Sequence, residues 1–135
     1  MRQRKYEEFD EDTGMTLRYV RHENGGGFVE RHAHVDPSAY VGPSAYVDRN
    51  AVVGAGARIG GAAWVDHEAV VCARAVIGTS VHVGPGAVVG RDAKIGARVR
   101  IGANARIWDD ARIDSDEMIP DGAVVRPGSR SQRAA

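Results

Sequence analysis

The chain has 135 residues, 43% of them hydrophobic, with 18 basic side chains against 18 acidic ones, which as a prior means one domain with a modest core. Eighteen Val, seven Ile and 20 Ala stand against one Leu, Leu17, which argues against a helical bundle, whose seams leucine fills, and for an all-β fold. Zero net charge leaves no field to draw nucleic acid or a membrane surface, no apolar run approaches the roughly 20 residues of a membrane-spanning helix, and a lone Cys72 fits a reducing compartment.

Residues 1–26 come first and stand apart. The opening MRQRKYEEFDEDTG has no apolar stretch of the kind a signal peptide carries, so a cytoplasmic protein is expected, with neither nucleic acid nor membrane as partner. KYEEFD and MTLRYVRH, joined by EDTG, read as a β-hairpin, and ENGGG as a glycine-rich link. A hairpin here is expected to cap whatever repeats follow it.

From residue 27 to residue 126 a period of six runs without a slip. Seventeen successive sixth positions, from Val29 to Val125, are Val or Ile, and thirteen of the residues two places before them are Ala. If the aliphatic position is called i, then i and i−2 face inward in a strand while i−1 faces out. All twelve Gly between Phe28 and Arg126 fall at i+1, i+2 or i+3, where a bend is needed. Each hexad is therefore a short strand plus a corner, and three hexads close one triangular coil of about 18 residues. At the far end Glu117 occupies an inward position, which predicts an imperfect last coil, and residues 127–135 read as a disordered tail.

The run AYVGPSAYVDRNAVVGAGARIG resembles the hexapeptide-repeat proteins. That resemblance implies a left-handed parallel β-helix, here of five to six coils with the N-terminal hairpin as its cap. It also implies a homotrimer, with ligands held in clefts between subunits. The GGFV start of the repeats, soon after an aromatic-containing hairpin, is similar to repeat proteins of bacterial and prophage genomes, some of them labelled transferases.

With 18 residues per coil, the outward i−1 side chains sort into three faces. The first carries Phe28, Tyr46, Trp64, His82, Arg100 and Met118; the second His34, Val52, Val70, Val88, Arg106 and Val124; the third Tyr40, Arg58, Val76, Lys94 and Arg112. Two of these faces are too apolar for an isolated prism, so self-association is expected. Tyr46, Trp64, His82 and Arg100 line up two aromatic rings, an imidazole and a guanidinium, which suits a ligand with a planar group and an anion. Arg58, Lys94 or Arg112 of a neighbouring subunit is expected to close that cleft.

Members of the resembling family that transfer acyl groups use a histidine as general base, and on this count His82 and His67 are the catalytic candidates. A corner column gathers Glu30, Arg31 and His32 under Asp48, Arg49 and Asn50, which lie under Asp66, His67 and Glu68; it offers ion pairs, a metal-binding cluster or a site that activates water. The paired histidines five residues apart that zinc hydratases of this fold use are missing, so no metal site and no cofactor are expected. Belts of Arg91, Lys94, Arg98, Arg100 and Arg106, then of Asp109, Asp110, Asp114, Asp116, Glu117 and Asp121, are expected to compensate each other. These features together give a leading expectation of a homotrimeric solenoid that binds a small anionic or aromatic ligand without catalysis. The alternatives are an acyltransferase with an acyl-coenzyme A donor and a purely structural assembly module.

Overall fold

A computed structural model describes the backbone of residues 5–10 and 15–128, and side chains from residue 18 to residue 128. The expected EDTG turn, and the expected disordered tail from residue 129 onward, lie outside the described residues. Among the described residues there is no helix.

The repeats fold as their periodicity dictates. After β3 (Phe28–Glu30), every hexad forms a two-residue strand of its i−1 and i positions, from His34–Val35 to Val124–Val125. Consecutive hexads turn onto different sheets and return to the same one after 18 residues, so Tyr46 pairs with Trp64, Val70 with Val88 and Lys94 with Arg112, all in parallel register. The result is a triangular prism of about five turns, a left-handed parallel β-helix. Inside it, the small residue at i−2 and the branched one at i alternate up the axis; Ala69, Val71, Ala75 and Val83 are wholly buried and Ile77 is nearly so. The last coil keeps this packing at Ile119 and Val125, 3% and 5% exposed, even though Glu117 takes an inward position there and is half-buried.

The hairpin is present, and its placement is specific. β1 (Lys5–Asp10) pairs antiparallel with β2 (Met15–Arg21), and β2 pairs antiparallel with β3. It therefore extends the first face as an eight-stranded sheet and covers the edge of β3, while the other two sheets have six and five strands. The link covers a second edge, since Val41 donates to the Asn24 carbonyl at 3.0 Å and Gly27 donates to that of Val41 at 2.9 Å. Its glycines are required: Gly25 and Gly26 have φ of 109° and 81°, and a Cβ on Gly27 would strike the Val41 side chain.

The corners differ from the sequence expectation. The left-handed residue is always at i+3, yet eleven of these positions hold a residue other than glycine, with φ from 58° at Ser80 to 69° at Asp116. Most glycines of the repeats sit instead at i+1, where the next coil passes close by, and they are there for space and not for dihedral freedom.

Candidate functional site

The residue at i+1, just past each short strand, opens the corner, where the next coil passes close by. On the first face, at the corner, these residues are Glu30, Asp48 and Asp66. Each carboxylate reaches back to its own corner or across to the coil above. Glu30, 2% exposed, accepts the backbone N–H of His32 at 2.8 Å. Asp48 accepts the Tyr19 hydroxyl on Oδ1 at 2.6 Å and the Trp64 indole N–H on Oδ2 at 2.7 Å. Asp66, 8% exposed, accepts from both the backbone N–H and Nδ1 of His67 on Oδ1, each at 2.8 Å, and from His82 Nε2 on Oδ2 at 2.9 Å.

One carboxylate thus bridges two imidazoles. Burial opposes the charge on Asp66, but the hydrogen bonds from His82 and His67 outweigh it and hold the carboxyl below its ordinary range. An ionised Asp66 can only accept, so both rings must present an N–H to it. In a neutral ring this fixes the tautomer, with the lone pair on His67 Nε2 and on His82 Nδ1. The two rings are not equally available. His67 points its far nitrogen away from Asp66, and its side chain is 40% exposed; His82 is held by its tip and is 28% exposed. The Trp64 indole also lies flat on His82, ring centroids 4.2 Å apart and 14° from parallel. Asp48 has the opposite balance to Asp66: burial, reinforced by the neighbouring Asp66 charge, pushes its carboxyl up against its two hydrogen bonds.

The structure therefore brings together His82 and Trp64 from the aromatic ladder with His67 and Asp66 from the corner column, two features that the sequence suggests separately. The sequence reading missed the bridging role of Asp66 and the anchoring role of Asp48, although a repeated 16-residue offset, Asp48 to Trp64 and Asp66 to His82, was there to find. Tyr46 stands one coil below Trp64 and stacks on Phe28 with centroids 4.9 Å apart. Arg100 stands one coil above His82, exposed and with no carboxylate partner among the described residues. Arg58, Lys94 and Arg112 lie in register on the third face, so within one chain they do not join the ladder. Arg58 stacks over Tyr40 at 4.6 Å, and Lys94 donates to the Asp92 carbonyl at 3.3 Å.

Elsewhere the charges compensate from coil to coil, with Arg74 on Asp92, Arg91 on Asp109 and Arg98 on Asp116 at 3.0, 3.2 and 2.7 Å. Among the described residues no group of three or more His, Cys, Asp or Glu is arranged to hold a metal ion. A cavity of about 370 Å³ opens under the first coil, between the hairpin and Val29, Ala33 and Val35, and none of the histidine pair lines it.

A family model described as bacterial transferase hexapeptide (six repeats) matches residues 74–108, inside the run of hexads that builds the β-helix. The acetyltransferase domain of PglB from Neisseria gonorrhoeae superposes with a TM-score of 0.72 at 30% identity, over 75% of this chain and 49% of that one. An Arabidopsis UDP-N-acetylglucosamine acyltransferase superposes at 0.63 with 16% identity, over 73% and 46% of the two chains, a likeness of fold alone. The chain spans about half the length of these structures. None of the curated proteins matches the sequence.

These findings correct one expectation. A solenoid that binds its ligand without catalysis does not stand beside a 30% identical acetyltransferase domain whose repeats superpose on most of this chain. The acyltransferase alternative is the reading that the similarity supports.

Proposed function

We propose that the chain is an acyltransferase that moves an acyl group from an acyl-coenzyme A donor to an amine or hydroxyl of a small acceptor. The observation that carries the proposal is the Asp66 carboxylate bridging His67 and His82 on a scaffold similar to an acetyltransferase domain. In this reading His67 is the general base. Its Nε2 takes the proton from the acceptor as the nitrogen or oxygen attacks the thioester carbonyl, and the thiolate of coenzyme A leaves. Asp66 holds the Nδ1–H, orients the ring and stabilises the imidazolium that forms, the division of labour of an acid–histidine pair. Arg100 receives an anionic group of one substrate, and Trp64 offers a flat wall beside His82. Three copies pack through the apolar second face, and a neighbour's Arg58, Lys94 or Arg112 closes the cleft over the ladder.

The test is thiol release from acetyl-coenzyme A across a panel of amino and hydroxyl acceptors. Replacing the base, His67→Ala, should lower the rate with the best acceptor by about 10²- to 10⁴-fold, whereas His82→Ala should cost less because it removes only support for Asp66. A wild-type protein that releases no thiol above the blank with any acceptor overturns the acyltransferase reading. Equal losses in the two variants would reassign the base.

A further inference from the structure

A continuous chain of contacts runs from the N-terminal hairpin to the histidine pair. It starts at Tyr19 of β2, 2% exposed, whose hydroxyl donates to Asp48 Oδ1. The second oxygen of Asp48 accepts the Trp64 N–H, the indole stacks on His82, and His82 donates to the carboxylate that also holds His67. Trp64 is 43% exposed, so packing alone does not fix its ring. Both its ends are nevertheless constrained, one by the Asp48 bond and one by the face of His82.

We infer that Asp48 is a positioning residue: tied to the hairpin through Tyr19, it fixes the plane of Trp64, and through that plane the orientation of His82, Asp66 and His67. Why a half-buried aspartate should be kept there has a physical answer. A neutral N–H and a hydroxyl converge on it from different elements, and a forked side chain with one polar atom for each meets both. The hairpin then does more than cover a strand edge. It braces the site from one coil below, and a cap that docks loosely should leave the histidine pair loosely oriented. The groups facing this network are Asp66 and His67 beside Asp48, and Arg100 in register with His82; none of them replaces a donor to Asp48. The effect on rate rests on the acyltransferase reading, but the effect on ring geometry does not.

The two can be tested apart. Stacking under the indole shields the His82 ring protons, so their chemical shifts in the full chain report the plane of Trp64 without any substrate. In Asp48→Ala those protons should move downfield toward the values of a free imidazole, and thiol release should fall about tenfold in kcat with KM little changed. Asp48→Asn should restore both, because the amide can accept from Trp64 and donate to the Tyr19 oxygen. Should Asp48→Ala fail to fold, Tyr19→Phe should move the same protons in the same direction by less. A folded Asp48→Ala or Tyr19→Phe protein with wild-type His82 shifts overturns the inference. Moved shifts in the variants, beside a wild-type protein that shows no thiol release, support the positioning role and overturn the acyltransferase reading instead.

Discussion

At the scale of single residues, two carboxylates of the same type, 18 positions apart and equivalent in the repeat, are driven in opposite directions. Asp66 accepts from two imidazoles and a backbone N–H, and its carboxyl is held low; Asp48 accepts from neutral partners and is pushed up by burial. The consequences for stability have opposite signs. Asp66 stabilises the fold above the ordinary carboxylate range, and this is lost as the pH falls through its depressed value. Asp48 is a cost at neutral pH, relieved as the pH falls through its raised value. Asp48→Asn should therefore melt a few degrees higher than wild type at pH 7, with the gain shrinking as the pH falls into the range where Asp48 itself becomes protonated. Scanning calorimetry between pH 4 and pH 7 checks this, and a gain that does not change with pH means that the cost is not one of charge. The sequence placed His67 and Asp66 in a corner column and His82 and Trp64 on a face. It did not join them, because the link is a diagonal from i+1 of one coil to i−1 of the next, which neither a linear period nor a stack of 18 displays.

At the scale of the hexad, the strand and the place of the corner were legible, and the corner's dihedrals were not. Strand and core follow from alternation: a small residue and a β-branched one, suited to pleated strands, point inward, and Val71 and Ile77 end up buried. The left-handed residue of a corner, by contrast, is announced by no residue type, since Ser, Asn, Ala, Glu, Arg, Asp and Gly all take it. The corner of Gly60, Gly61 and Ala62 separates the two demands. A Cβ on Gly60 would lie 2.7 Å from the backbone of Gly78 and Thr79 in the coil above. Gly60→Ala should thus force the coils apart and destabilise the protein by about 1–3 kcal/mol, the usual cost of overpacking. Ala62 has φ of 60°, so Ala62→Gly relieves left-handed strain of about 1–2 kcal/mol while adding about 0.5–1 kcal/mol of backbone entropy cost. A net gain of up to about 1.5 kcal/mol is expected from these two terms. Denaturant midpoints for the two variants should move in opposite directions; a loss in both would mean that the coil above, and not the dihedral, governs the whole corner.

At the scale of the molecule, the outer surface is the part of the design that one chain leaves unexplained. Val52, Val70 and Val88 are in register on the second face, and Val124 at its end is 52% exposed. On the first face Trp64 and Met118 are 43% and 69% exposed. Isolated apolar side chains on a surface need no partner, but three valines in register on successive coils form a continuous patch of the kind that buries itself in an interface. Three prisms packed in parallel would cover the second face and leave the ladder of Trp64, His82 and Arg100 at the seam, beside the third face of a neighbour. Light scattering should then give three times the chain mass of 14.4 kDa. A charge at the centre of the valine ladder, Val70→Glu, should dissociate the assembly, since three unpaired carboxylates would meet in an apolar contact. The inward Val71 next to it does not change, so circular dichroism of the separated chains should still show intact coils. If the seam completes the site, thiol release must fall with the trimer, in proportion to the fraction dissociated. A dissociated protein with wild-type turnover would put the whole site within one chain, and a wild-type mass near 14.4 kDa would remove the seam altogether.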